Sequence, residues 1–312
     1  MTPRRSVPAR LALCLFLFAV FAAAPANARS PLEGGKSSGN TTYRFSYSPI
    51  YQFETSMDND GRFDVQRHLL RFEAARSMGT HWSVGLGLSF DYEHWNFSNI
   101  SSLFGVDLWE DVFRPGISIP IFYNTNANWR FGIIPSVEFA GASGAKIDKS
   151  ISYGSVFSAA YAFGPDLILG VGTGVFERFE QWDVFPFFVV DWKIDERLRL
   201  TNPLRAGPVG PAGLELVYSP LESLEVGVGG AYRSYRFRLR DRGAVPNGIA
   251  DVDFWSPFAR LGWRLSDHYQ VDLSGGALVG GRIAVEDEKG HRLGRRDYDA
   301  TPFVGITFRG RF

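Results

Sequence analysis

Cysteine is nearly missing from this chain of 312 residues: Cys14 is the only one. It sits in an apolar N-terminal run, so the mature chain is expected to have none, and neither a disulfide framework nor thiol chemistry is open to it. Histidine is scarce. No two of His68, His81, His94, His268 and His291 have metal-ligand spacing, so no metal site and no cofactor are expected. Neither sign of charge dominates, with 33 basic and 33 acidic residues. No basic stripe exists, which excludes nucleic acid as a partner. A helical period is absent throughout. Beyond the N-terminal run, no apolar stretch approaches the ~20 residues of a membrane helix, which excludes a helical inner-membrane protein.

The N-terminus reads as a secretory leader. Arg4, Arg5 and Arg10 form a positive region, Leu11 to Ala24 is apolar, and Ala26-Asn27-Ala28 is a cleavage signal, so processing is expected after Ala28. Loss of the three leader arginines makes the mature chain slightly acidic. A short periplasmic segment, 29–41, then precedes a single domain over 42–312.

That domain holds most of the 34 glycines and of the 27 Phe, 12 Tyr and 8 Trp, arranged with period two. Trp82, Val84, Leu86, Leu88, Phe90 and Tyr92 alternate with Ser83, Gly85, Gly87, Ser89, Asp91 and Glu93. Tyr43, Phe45, Tyr47, Tyr51 and Phe53 alternate with Arg44, Ser46, Ser48, Gln52 and Glu54 in the same way. Several apolar rows begin or end on Trp or Tyr, as rows that meet lipid headgroups do. Tight turns such as Gly164-Pro165-Asp166 and Asp195-Glu196-Arg197 alternate with mostly longer connections around 55–61, 96–111, 141–149, 203–212, 241–251 and 286–296. A soluble sandwich has no reason for that asymmetry; short periplasmic turns and long external loops do. The pattern predicts an all-β protein, a transmembrane antiparallel up-and-down β-barrel of about 14 strands. The count falls to 12 if the short ninth and tenth strands, 198–203 and 213–219 with Pro203, Pro208 and Pro211 between them, do not span. The eleventh, 224–240, changes phase, and a bulge near Ser234 is expected.

The chain ends on the row Tyr298, Ala300, Pro302, Val304, Ile306, Phe308, Gly310 and Phe312. A last strand closing on an aromatic residue resembles the C-terminal signal of bacterial outer-membrane barrels. That resemblance implies Phe308 and Phe312 as an assembly signal and the barrel-assembly machinery as a partner. The segments Gly213-Leu214-Glu215-Leu216-Val217-Tyr218, Tyr235-Arg236-Phe237-Arg238-Leu239, Phe258-Ala259-Arg260-Leu261-Gly262-Trp263 and Asp297-Tyr298-Asp299-Ala300-Thr301-Pro302-Phe303 resemble a further family. It is an uncharacterised bacterial family of outer-membrane proteins of about this length, known only as a domain of unknown function. The resemblance covers residues 180 to 310, implies a barrel, and carries no functional residues.

Chemistry is thinly marked. His81-Trp82-Ser83 has the residue types of a lipid hydrolase pair, but it lies at a periplasmic turn on the lumen parity, so no catalytic residue and no enzyme are expected. Asp58-Asn59-Asp60-Gly61 lacks the ligand alternation of a calcium loop and suits a hairpin turn. Arg233, Arg236, Arg238 and Arg240 sit at the external end of strand eleven. Facing outward they would contact lipopolysaccharide phosphates; facing inward they would favour anionic solutes; the third reading is a solvated rim offset by Asp241, Asp251, Glu286, Asp287 and Glu288. Arg44, Arg114, Arg130, Glu138, Arg178 and Asp191 fall on the lumen parity as candidate pore charges, or as internal braces. The expected function is that of a porin-like barrel passing small polar solutes, with a closed structural or lipopolysaccharide-anchoring barrel as the alternative. A carrier of hydrophobic molecules is disfavoured, because about a dozen residues between Ala28 and the first strand are too few for an N-terminal hatch. Outer-membrane lipid and lipopolysaccharide are the expected surroundings.

Overall fold

The computed structural model describes residues 41–58, 61–203 and 213–312. The leader with Cys14, the segment 29–40, two residues of the Asp58–Gly61 turn, and Pro208 and Pro211 lie outside the described residues. Fourteen barrel strands follow in chain order. They are β1 (Thr41–Met57), β2 (Gly61–Met78), β3 (Trp82–Ser98), β4 (Asp111–Ser118 and Ile121–Asn124), β5 (Trp129–Phe139), β6 (Ile151–Ala162) and β7 (Leu167–Glu177). The second half comprises β8 (Trp182–Lys193), β9 (Leu198–Thr201), β10 (Gly213–Leu221), β11 (Leu224–Arg238), β12 (Ile249–Arg264), β13 (Tyr269–Glu286) and β14 (Arg292–Tyr298 and Thr301–Arg311). Each strand pairs antiparallel with its sequence neighbours, and β14 closes on β1 with Arg44 opposite Arg311 and Gln52 opposite Phe303. The expected short ninth and tenth strands both form part of the wall.

Closure removes every free edge from a spanning sheet, which lipid demands because it cannot hydrogen-bond a bare backbone. Period-two alternation then sends one row out and one in. The outer row is apolar and exposed, with Phe72, Leu88, Phe90, Ile117, Phe131, Phe157, Val171, Phe188, Val228, Leu261, Leu273 and Ile306 in its band. Trp82, Trp129, Trp182, Trp192 and Trp263 stand exposed at its margins. A closed barrel with a continuous apolar band and aromatic margins is built to sit in lipid, and even strand number with alternating turn lengths makes it a bacterial outer-membrane barrel.

Four departures from strict alternation have local causes. The pairing of β11 with β12 runs without interruption from Leu224–Trp263 to Arg238–Ile249, so no bulge occurs at Ser234. Tyr235, Phe237 and Leu239 continue the inward parity of Gly227 and Gly229, while Arg236 and Arg238 on the other parity are covered by loops, so both faces there are buried. The extra residue lies in β13 instead, where the register against β12 slips between Asp253 and Trp255; Gly280 takes φ +61° there, a conformation costly for other residues. In β1 a slip between Gln52 and Thr55 turns Glu54 out of the lumen to pair with Arg62 at 3.3 Å. In β14 the break at Asp299–Ala300 turns Tyr298 inward, against its expected lipid-facing parity, and its ring meets Phe63 edge-on at 5.1 Å.

Phe312 sits at the seam. Its N–H donates to the Tyr43 carbonyl at 2.9 Å, and the Tyr43 N–H donates back to its carbonyl at 2.8 Å. Its ring stacks on Phe45 at 6.4 Å and meets Tyr269 edge-on at 5.6 Å. Phe312→Ala strips the aromatic contacts from the last pair of the closing strands. The expected outcome is normal export with fewer heat-modifiable, membrane-assembled barrels, read by gel shift of isolated membranes; unchanged barrel levels would refute it.

Candidate functional site

The external half of the lumen is filled on the side of β1–β4 and β11–β14. From the β3–β4 connection, Leu103, Val106 and Trp109 turn into the barrel and are buried. They join Phe63 and Val65 of β2, Trp95 of β3, Phe237 of β11, Ile249 and Val252 of β12, and Ile283 and Val285 of β13 in one apolar cluster. Trp109 meets Phe237 at 5.4 Å and Trp95 at 5.8 Å, both edge-to-face. A barrel of this circumference is too wide for wall side chains alone to fill. Two additions fill this side of it: the inserted connection and an inward lean of the β11–β12 hairpin. The lean shows in the contacts at the end of β11. Among the described residues, the pairing of β10 with β11 runs up to Gly213 opposite Ala231. The end of β11 pairs in parallel with Gly141, next to β5, and Tyr235 lies 4.2 Å from the Arg114 guanidinium of β4.

Beneath this cluster lies an ion-pair layer. The Glu93 side chain has no exposure and accepts from Arg67 Nε at 3.1 Å, Arg114 Nη2 at 2.5 Å and Trp95 Nε1 at 2.9 Å. Arg67 also donates to Gln52 at 2.9 Å. Arg71 holds Asp91 through both guanidinium nitrogens. The space between Ile50, Arg67, Tyr235, Phe254, Ser256, Leu278 and Phe303 amounts to a cavity of about 10 Å³, room for about one water. Toward the periplasm a second knot centres on Arg260, which reaches Glu215 at 2.7 Å, Asp272 at 2.8 Å and Glu225 at 3.1 Å, while Arg309 reaches Asp272 at 2.7 Å.

The lumen is lopsided. Against these knots on β1–β4 and β10–β14, the walls of β5–β8 present Gly132, Ser158, Gly170, Gly172, Val156, Phe185 and Phe187, half-buried or exposed. The rings of Phe185 and Phe187 lie across Gly174 and Gly172, where a Cβ would come within 2.2 Å of each ring.

The candidate lumen charges all fall on inward-facing positions, and most are paired. Arg44 binds Glu73 at 2.8 Å, Arg178 binds Asp183 at 2.5 Å, and Asp191 takes a two-bond fork from Arg199 at 2.6 Å. Arg114 belongs to the Glu93 layer; Arg130 and Glu138 are half-buried on β5. The four arginines of β11 do not form one patch. Arg236 is 3 % exposed and binds Glu286 at 2.6 Å and the carbonyls of Arg178 and Phe179. Arg238, equally buried, donates to the carbonyls of Lys149, Asn247 and Glu288 and lies over the Phe179 ring. Arg240 pairs with Asp107 at 3.2 Å, and Arg233 is half-buried beside Tyr235 at 5.5 Å. Arg236 and Arg238 therefore tie β11 to three external loops. Lys149 of the β5–β6 connection also binds Glu288 of the β13–β14 connection and holds its carboxyl below the ordinary carboxylate range.

His81 binds the Asn124 carbonyl at the periplasmic turn at 2.8 Å. No group of three metal-ligating side chains occurs among the described residues. Sequence reasoning missed the inserted connection, although three apolar side chains in an external loop, Leu103, Val106 and Trp109, are the signal that finds it.

No family model matches this chain, and no curated protein matches it. Among solved structures, an outer-membrane channel from Pseudomonas putida F1 is 8% identical over 92% of this chain and 100% of that one, with a TM-score of 0.49. The Pseudomonas putida toluene transporter TodX is 7% identical over 86% of this chain and 89% of that one, TM-score 0.39. The KdgM porin is 10% identical over 85% of this chain and 98% of that one, TM-score 0.32. None of the three bears on what this barrel carries.

Proposed function

We propose that the protein is a channel-type outer-membrane barrel held shut along its axis, so that small polar solutes do not flow through it from end to end. The observation that carries this reading is the buried apolar cluster that occupies the β1–β4 and β11–β14 side of the external half, into which the β3–β4 connection inserts Leu103, Val106 and Trp109. A hydrated ion would have to enter that layer without replacement hydrogen bonds, at a cost of several kcal/mol or more. Below it, the ion pairs act as braces between strands more than as free charges for solutes, because their partners already occupy them. Lipopolysaccharide contact through β11 has less support, since Arg236 and Arg238 face loop carbonyls. Outer-membrane lipid and the assembly machinery remain the partners.

The test is single-channel conductance of the purified mature barrel in planar bilayers. No steady ohmic conductance is expected from the natural chain. Replacing Leu103, Val106 and Trp109 together by serine is expected to yield open events. A steady conductance in the natural chain would overturn the closed reading.

A further inference from the structure

Two buried donors of the ion-pair layer are left over. Arg67 of β2 gives its Nε to Glu93 at 3.1 Å and its Nη1 to the Oε1 of Gln52 at 2.9 Å. Its Nη2 is buried with no hydrogen-bond partner among the described residues, and so is the Nε2 of Gln52 on β1. Neither side chain can look to solvent, with Arg67 at 4% exposure and Gln52 at 0%. Turning the carboxamide round does not help, because its NH2 would then face the guanidinium, donor against donor. A buried donor without an acceptor costs about 1–3 kcal/mol, and more when it carries charge.

Space for a shared acceptor lies beside them. The cavity of about 10 Å³ has Arg67 in its lining. Gln52 stands between two more of its walls: Ile50 precedes it by two on the same face of β1, and Phe303 of β14 is its paired neighbour. The remaining side chains add the hydroxyls of Ser256 and Tyr235 and otherwise hydrocarbon; no carboxylate or carboxamide lines the cavity. The charges around it point the same way. Across the neighbouring strands β1 to β5 stand Gln52, Arg67, Glu93, Arg114 and Glu138 in turn. Arg114 has a carboxylate on either side, binding Glu93 and acted on by Glu138. Arg67 has Glu93 on one side and, where the next anion would fall, only the neutral carboxamide of Gln52. A water placed there would accept from both donors but would need acceptors for two protons of its own and would leave the charge of Arg67 unanswered.

We propose that this cavity binds one monoatomic anion, chloride, held by Arg67 Nη2, Gln52 Nε2 and the Ser256 hydroxyl. The space excludes polyatomic anions. The ion completes the layer at its β1 end and ties β1 and β2 to β12. The site lies within one wall of the lumen and does not rest on axial closure of the barrel, since conductance reports the axis and the ion acts on stability.

The test uses the mature barrel folded from denaturant into lipid, so that ions can enter before the wall closes. Chloride is varied against gluconate at constant ionic strength. By mass action, the thermal unfolding midpoint read by gel shift should rise by roughly 3–5 °C for each tenfold increase in chloride beyond half-saturation. Bromide should substitute for chloride, and crystals grown in bromide should show an anomalous peak between Arg67 and Gln52. Gln52→Glu builds the missing anion into the chain. Its midpoint in gluconate should reach that of the natural chain in chloride, and its dependence on chloride should vanish. Equal midpoints of the natural chain in chloride and gluconate overturn the proposal. So does density between Arg67 and Gln52 without an anomalous signal, which would make the occupant a water. A folded Gln52→Glu barrel that keeps the full chloride dependence overturns it as well, because the salt effect would then arise elsewhere.

Discussion

Replacing Glu93 by leucine is expected to destabilise the barrel by about 3–5 kcal/mol, because it strands two buried guanidinium groups that now share one carboxylate. Arg67 and Arg114 have side chains 5% and 3% exposed, and both point at Glu93. Water cannot reach them when the carboxylate leaves, and the rings of Tyr235, Trp95 and Phe254 around them recover only part of the loss. The measurement is the midpoint of thermal unfolding, followed by gel shift in lipid. A companion variant sharpens the cause. Changing Arg67, Glu93 and Arg114 together to apolar residues of similar volume removes all three of these charges at once and is expected to restore most of the stability, as whole buried ion clusters are often replaceable. Equal losses in the single and triple variants would mean that packing, not charge compensation, holds this layer. Recovery in the triple variant would instead show that three charges on the adjacent strands β2, β3 and β4 brace one side of the wall, and that this layer bears the inward-leaning β11 through the Arg114–Tyr235 contact.

Much of this architecture was legible from parity. Apolar and polar rows, the closing aromatic strand and the alternation of turn lengths each follow from one repeated physical demand, that lipid-facing side chains be greasy and every backbone group be paired. That demand acts residue by residue, so it leaves a trace in the sequence. Parity also assigned Arg44, Arg114, Arg178 and Asp191 to the interior, where they are. What it does not carry is partnership. Arg114 finds Glu93 on a neighbouring strand and Tyr235 on a distant one, and nothing in the spacing of these residues links them. Arg236 and Arg238 read as a basic patch because four arginines stand close in sequence; their burial comes from the carbonyls of three loops far away in the chain. The phase change at Ser234 was a true signal with a different cause: both faces are apolar or paired there because the end of the hairpin leans inward to Gly141 while loops cover Arg236 and Arg238. The apolar side chains of the β3–β4 connection carried the remaining clue, since an external loop that faces only water has no use for Leu103, Val106 and Trp109 together.

The periplasmic knot offers the inverse experiment, one cation among several anions. Arg260 is 6% exposed and is the only hydrogen-bond partner of the Glu215 side chain, itself 1% exposed, among the described residues. Asp272 is differently placed, because Arg309 binds it through two nitrogens at 2.7 and 2.9 Å whether or not Arg260 is present. Glu225 is part-exposed and keeps Gln270 as a donor at 3.3 Å. Arg260→Met thus leaves one carboxylate, that of Glu215, both buried and unaccompanied, and the expected loss is again about 3–5 kcal/mol. The inequality of the three anions makes the prediction specific. In the Arg260→Met background, Glu215→Gln should recover most of the lost midpoint, whereas Asp272→Asn should recover little, since it removes a charge that Arg309 already balances. Unfolding midpoints of the three variants in the same lipid decide it. Equal recovery by both second substitutions would show that the knot behaves as one diffuse pool of negative charge, and the stabilisation would then belong to the field of the whole cluster and not to the single contact between β10 and β12.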